Sequence, residues 1–348
     1  MNTTSQKFSV VPFLLITFAW TWLFWFAAIP VREQPLLLVS LVMIGGFGPA
    51  VGGLLSLNLQ SGFKLDLSTK RMLVFVLASA LLFGVMALRY MVGNIPDYDI
   101  LAADLTLSVP VILAALAASL VGGWVFSSAV SAVPLVRDRM QTIFPWRKFS
   151  RWTILALIFF PLLILAAWGL AELLGLGVEY PSLWGESTIR VIPIYVLSFV
   201  LVALTQGGNE EPGWRGFLQP ELQKRFSPLV AALIVSLFWS LWHLPLYLNG
   251  FYPGDLVGGM LGGFVYRILL SIFLAWFYNR SGGSVFAMIF LHTCFNLMVN
   301  FLPTSDLGLL VLWLVVVLVV VFKDKMYCNP AANSGTARKV TSDEKVFN

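Results

Sequence analysis

The recurrence of apolar runs of roughly 20 residues, broken by short segments of Pro, Gly or charge, constrains this chain more than any single motif. A helix of that length spans the hydrocarbon of a bilayer, and inside hydrocarbon the backbone must satisfy its own hydrogen bonds. The runs predict an all-α fold, a polytopic transmembrane helical bundle. Its ten spans fall near 10–30, 36–58, 72–92, 108–136, 152–175, 189–218, 228–248, 257–279, 283–302 and 307–322. The run at 108–136 is overlong for one straight span. A hydrophobic fraction of 59% against 11% charged residues leaves no polar stretch long enough for a separate soluble domain.

Orientation follows from the Lys/Arg bias. With the N-terminus inside, the cytoplasmic set is Lys7; Lys64, Lys70, Arg71; Arg137, Arg139, Arg147, Lys148, Arg151; Arg215, Lys224, Arg225; Arg280; and Lys323, Lys325, Arg338, Lys339, Lys345, or 18 of the 22 basic residues. Arg32 stands alone in an outer loop, and Arg89, Arg190 and Arg267 lie within or at the ends of spans. The outer segments 94–104 and 178–186 are acidic or neutral. The chain thus reads as a multi-pass protein of the cell membrane with both termini cytoplasmic. The first apolar run lacks a small-residue cleavage site and reads as a retained span rather than a signal. The formal charge of +5 is a topology signal, since no phosphate-cradling or base-stacking pattern accompanies it and no nucleic-acid partner is implied. Cys294 and Cys328 sit in contexts that suggest neither a disulfide nor an activated thiol. Glycines at 45, 46, 48, 52, 53 and again at 258, 259, 262, 263 predict close helix packing.

Polar residues inside these spans carry the functional signal, because an ionisable group in hydrocarbon is costly unless paired. The chain has two histidines, His243 and His292, both deep in apolar runs. Glu210 and Glu211 form an adjacent acidic pair. Glu210 lies 15 residues before Arg225, roughly 20 Å if helical; His243 lies 18 residues beyond Arg225 and His292 12 residues beyond Arg280. All three reach the middle of the membrane from different helices, so they are expected to converge on one cavity, open to the cytoplasmic side. Glu211 and Arg215 are four apart and share a helix face, which predicts a structural ion pair. Glu210 points about 100° away and is left free as a candidate base. His292 and Asn296 also share a face. Arg267 lies at similar depth; it either pairs with Glu210, Glu211 or another acid, or receives a substrate carboxylate or neutralises the catalytic acid.

The motifs Glu210-Glu211-Pro212-Gly213-Trp214-Arg215, Trp239-Ser240-Leu241-Trp242-His243 and His292-Thr293-Cys294-Phe295-Asn296, with Tyr278-Asn279-Arg280-Ser281-Gly282-Gly283-Ser284 between the last two, resemble in order and spacing those of the CPBP family. These are the CAAX proteases and bacteriocin-processing enzymes, also called Abi proteins, whose pattern is Glu-Glu-x-x-x-Arg, Phe-x-x-x-His and His-x-x-x-Asn/Asp. The resemblance covers residues 200–300, with Gly48-Pro49-Ala50 similar to an early family feature. One departure is Trp239, where the family often has Phe.

The resemblance implies an eight-helix core and an intramembrane endopeptidase in which Glu210 and His243 activate water while His292 and Asn296 stabilise the oxyanion. The chain then divides into N-terminal helices (1–150), a catalytic core (151–322) and a polar cytoplasmic tail (323–348). The family is commonly labelled a metalloprotease, and Glu210, His243 and His292 would make three zinc ligands with water as the fourth. Against zinc, the His-Glu-x-x-His spacing is absent, and spending Glu210 on a metal leaves only the Arg-paired Glu211 as base; the reading is metal-free, with zinc as the alternative. The partners implied are the bilayer and a membrane-associated peptide or protein substrate. The competing classes are a proton-coupled transporter, against which stands the absence of repeated halves, and a non-catalytic immunity protein. Oligomeric state is not legible from the sequence.

Overall fold

A computed structural model of the chain describes residues 9–91, 108–143, 150–252 and 255–328. The acidic segment 94–104, the basic residues Lys7, Arg147 and Lys148, and most of the tail, with Arg338, Lys339 and Lys345, lie outside the described residues. Helices come in the order α1 Val10–Ala27, α2 Pro35–Gly46, α3 Gly48–Gln60, α4 Thr69–Met91, α5 Val109–Ser127, α6 Pro134–Ile143, α7 Arg151–Leu174 and α8 Thr188–Val202. The second half continues with α9 Gly208–Gly213, α10 Gln219–Gln223, α11 Pro228–Trp242, α12 Leu244–Leu248, α13 Leu256–Arg280, α14 Val285–Met298 and α15 Asp306–Lys323.

Among the described residues nine helical stretches are long and apolar enough to cross a membrane, which defines a multi-pass membrane protein; α14, at 14 residues, is a shorter apolar helix. The ten predicted runs all recur, with three local differences. The run at 36–58 is one span built from α2 and α3, which meet at Phe47, ahead of Pro49, whose ring restricts the residue before it and whose nitrogen cannot donate. The overlong run at 108–136 resolves into α5 and the separate α6, which starts at Pro134 and buries Val136, Met140 and Ile143 while Asp138 faces outward. The run at 189–218 extends to Gln223 and contains two π-helical turns, Ala203–Gly207 and Trp214–Leu218. Starts of the later helices are capped as their sequences require: Ser227, Asp255, Ser284 and Ser305 accept from the backbone N–H three residues on.

Contacts among loops define two ends of the bundle. At one, the carboxylate of Asp66 accepts from the Ser131 hydroxyl (2.9 Å) and pairs with Arg71 (3.5 Å), Arg139 donates to the Gly216 carbonyl (3.4 Å), Leu229 N–H donates to Met326 (2.9 Å), and Arg280 meets Asp324 (3.5 Å). This end carries Lys64, Lys70, Arg71, Arg137, Arg139, Arg151, Lys224, Arg225, Arg280, Lys323 and Lys325, and is called the basic end below. Burial works to raise the affinity of the Asp66 carboxyl for its proton, but hydrogen bonds from Ala132, Ser68 and Ser131 outweigh it and hold the group well below the usual carboxylate range. At the opposite end the Asn249 amide donates to the Trp25 carbonyl (3.0 Å), and Glu179 and Thr304 exchange backbone hydrogen bonds of 2.8 and 2.9 Å.

Glycine packing is confirmed for one cluster only. A Cβ on Gly213 would come within 2.5 Å of the Pro49 backbone, so α9 and α3 touch backbone to backbone; Gly45, Gly48 and Gly52 meet α1, and Gly53 meets Phe217. In the second cluster Gly262 has nothing within 4 Å, and the space beside Gly263 is taken by the side chains of Tyr247 and Arg267. Gly263 thus makes room for side chains, one of them from α12, and not for a neighbouring backbone.

Candidate active site

The irregular stretch from Ala203 to Leu218 builds the centre of the molecule. Pro212 cannot donate a helix hydrogen bond and crowds the preceding turn. Here the wide π turns on either side of α9 absorb the misfit. On this stretch Glu210 and Glu211 diverge as their helical offset requires. Glu210 accepts from the indole N–H of Trp239 at 2.7 Å. The Oε1 of Glu211 accepts from Arg215 Nη1 at 3.0 Å, the predicted ion pair, and both side chains are fully buried. Arg215, counted with the cytoplasmic loops on sequence grounds, is therefore inside the protein. It is further held by the Ser271 hydroxyl at 3.3 Å and by the face of Trp239, 4.7 Å from the guanidinium carbon.

The histidines sit where local structure turns them inward. His243 occupies the break between α11 and α12, where Pro245 interrupts the helix, and its Nδ1 lies 2.7 Å from the Trp239 carbonyl. A carbonyl only accepts, so Nδ1 carries a proton, and in the neutral ring Nε2 then keeps its lone pair. The ring stacks on Tyr252 (6.0 Å between centroids, 19°) and meets the edge of Trp242 (4.7 Å, 90°). His292 on α14 has its Nδ1 2.8 Å from Glu211 Oε1. This link was not legible in the sequence: Glu211 serves Arg215 and His292 together, so it orients an imidazole as well as neutralising a cation. Asn296, one turn further along α14, donates to Gln206 Oε1 at 2.9 Å.

Glu210, His243, His292 and Asn296 line one cavity of about 420 Å³, together with Gln206, Trp239, Tyr252 and Arg267. The expected convergence is found. Trp239 stands at its centre: besides its bond to Glu210, its ring centroid lies 5.4 Å from that of His292 and 6.0 Å from that of His243. Its spacing of four from His243 was the available signal. Gln206 carried no comparable one, since a π turn sets its direction. Arg267 does not pair with Glu210 or Glu211. Its Nη1 donates to the Tyr247 hydroxyl at 3.2 Å, and its guanidinium carbon lies 5.7 Å from the centre of the Tyr252 ring.

The side to which the cavity opens is read from the residues that line it. Its walls beyond the polar cluster come from Trp25 in the last turn of α1, Val39 in α2, and Gly250 and Phe251 in the loop after α12. All of these belong to the end opposite the basic one. Toward the basic end the chain after Glu210 continues through buried Trp214, Phe217, Leu218 and Gln219, which do not line the cavity. Depth counting placed the polar groups at one level but carried no information on which side of that level is plugged.

Zinc finds no fit in this donor set. Among the described residues no three His, Cys, Asp or Glu side chains are grouped so as to hold a metal ion, and the carboxylate nearest His292 Nδ1 is already shared with Arg215. No step below runs through a metal.

The molecule is a bundle of membrane-spanning helices in which buried Glu210, His243 and His292 and half-buried Asn296 line one cavity, and the comparisons say what it is similar to. Residues 192–298 match the profile of the family described as type II CAAX prenyl endopeptidase Rce1-like. The family resemblance read from the motifs is thus borne out over the segment that holds all the site residues, and the matched family is one of proteases. A curated relative, CAAX prenyl protease 2 of Methanococcus maripaludis, is 30% identical over 141 residues, covering 38% of this chain and 51% of that protein. The match thus spans about half the length of the relative.

Proposed function

We propose that this protein is an intramembrane endopeptidase that hydrolyses a peptide bond of a membrane-associated peptide or protein without a metal. The observation that carries the reading is that Glu210, His243, His292 and Asn296 line one cavity around Trp239. Glu210 takes a proton from water as the oxygen attacks the scissile carbonyl carbon, and the unprotonated Nε2 of His243 accepts from the same water. The negative charge moves to the carbonyl oxygen. There the Asn296 amide donates one hydrogen bond, and His292, held by Glu211 at Nδ1, supplies the second stabilising contact through Nε2. The proton on Glu210 then passes to the departing amine as the C–N bond breaks. Arg267, a cation in the cavity wall with phenols rather than carboxylates as neighbours, is assigned to a substrate carboxylate or carbonyl. The Lys/Arg bias supports a cell-membrane orientation with both termini inside. Prenylated tails are the substrates of eukaryotic CAAX proteases; a bacterial member would take another peptide, such as a bacteriocin precursor.

The mechanism is checked on purified protein in liposomes with a library of peptides tethered by one apolar helix. Hydrolysis is expected to survive exhaustive chelation. Zinc that binds stoichiometrically, tracks activity and is lost in His243→Ala or His292→Ala overturns the metal-free mechanism. No hydrolysis of any tethered peptide, together with proton-coupled flux, overturns the peptidase reading itself. In the same assay Asn296→Ala is expected to lower kcat by about 10²- to 10³-fold with little change in KM, as for loss of one oxyanion donor. Trp239→Phe removes the donor to Glu210 while keeping an aromatic ring. It is expected to lower kcat about ten- to a hundredfold, the worth of one hydrogen bond to a charged group, with the protein still folded. Unchanged kcat in that variant would remove Trp239 from the positioning of the base.

A further inference from the structure

The polar cluster lies at the floor of a cavity whose walls all rise toward one end of the bundle, and that end is the one poor in lysine and arginine. Trp25, Val39, Gly250 and Phe251 lie toward that end, while Trp214 and Phe217, which follow Glu210 toward the basic end, are almost fully buried and do not line the cavity. Water and an extended peptide therefore reach Glu210 from the end opposite the basic loops. Basic residues of short loops stay in the cytoplasm, and the bias here is strong: the described loops at the cavity end, 28–34, 175–187, 249–252 and 299–305, hold Arg32 as their basic residue. The same two-end assignment follows from the loop contacts alone, Asn249 to Trp25 at one end and Leu229 to Met326 at the other.

We infer that the site opens to the extracytoplasmic side, so that its substrate is an exported peptide or protein, anchored in the membrane, with its scissile bond in the outer half of the bilayer or just outside it. This inference rests on the peptidase reading for what the site does, and on the cavity and the charge bias for where it does it. A cytoplasmic substrate would have to pass the buried residues that follow Glu210 toward the basic end, Trp214 and Phe217 among them, whereas a chain anchored by a helix and lying at the outer surface approaches on the side of Gly250 and Phe251, which line the cavity.

The test is thiol labelling of the full-length protein in intact cells with a membrane-impermeant maleimide. In a Cys328→Ser background, Glu33→Cys and Val299→Cys mark the cavity end and Lys224→Cys the basic end; in the unsubstituted protein the native Cys328 is a second marker of the basic end. Two positions per end guard against a variant that does not fold. Glu33→Cys and Val299→Cys are expected to label in intact cells, Lys224→Cys and Cys328 only after permeabilisation. In a second arm, a helix-tethered peptide presented to the outer face of spheroplasts is expected to be cleaved, and the same peptide presented to inverted vesicles is not. The reverse labelling pattern, labelling of both ends from outside, or cleavage only in inverted vesicles overturns the inference. Labelling needs no peptidase activity: the expected pattern without hydrolysis upholds the sidedness and sinks only the peptidase reading, while reversed labelling with hydrolysis does the opposite.

Discussion

Glu210→Gln is expected to abolish peptide hydrolysis, by more than about 10³-fold, in a protein that still inserts and folds. Glu210 is buried in the cavity wall and accepts from the Trp239 indole, while the short ion pair of Arg215 is made with Glu211. A glutamine carbonyl accepts the same indole N–H and fills the same volume, so packing is kept. What is lost is the one carboxylate able to take a proton from water beside His243. The measurement pairs kcat on a tethered peptide with the yield of monodisperse protein after extraction. Near-normal turnover would mean that another group is the base.

Glu211→Gln is expected to act on both fold and function. Removing its charge leaves the Arg215 guanidinium, which is completely inaccessible, without a counter-charge, and an uncompensated buried charge of that kind costs about 3–5 kcal/mol. Folded protein in the membrane should fall severalfold or more. The bond to His292 adds a consequence that an ion pair alone does not have: surviving protein holds a misoriented imidazole and is expected to turn over slowly. Thermal stability and specific activity of the extracted fraction, measured side by side, check this. A stable Glu211→Gln protein together with an unfolded Glu210→Gln protein would exchange the two roles.

The arrangement of spans was legible because the bilayer imposes it. Each apolar run of roughly 20 residues becomes a helix, and the misjudged places are those where proline redirects the chain, at Pro49 and Pro134. Charge marked the second of these, since Arg137-Asp138-Arg139 has no place in hydrocarbon. Within the site, contacts along one helix were readable from spacing, as the Glu211–Arg215 bond and the divergence of Glu210 illustrate. Contacts between helices were readable only in depth. That His292 would turn its Nδ1 to Glu211, or that Gln206 would meet Asn296, depends on how α14 is rotated against the π-distorted stretch beside it. Trp239, read as a mere aromatic exchange for Phe, turns out to supply the hydrogen bond that phenylalanine cannot, and of the alternatives left open for Arg267 the structure shows a hydrogen bond to Tyr247 and a close approach to Tyr252.

The direct question is whether Glu210 drives the attack of water on a peptide bond. Purified, chelated protein in nanodiscs is given helix-tethered peptides in water enriched in oxygen-18, and the products of a single turnover are weighed by mass spectrometry. One labelled oxygen in the new C-terminal carboxylate, absent in Glu210→Gln, is the predicted result. Cleavage that proceeds undiminished in Glu210→Gln, or no labelled product from any tethered peptide, would contradict it.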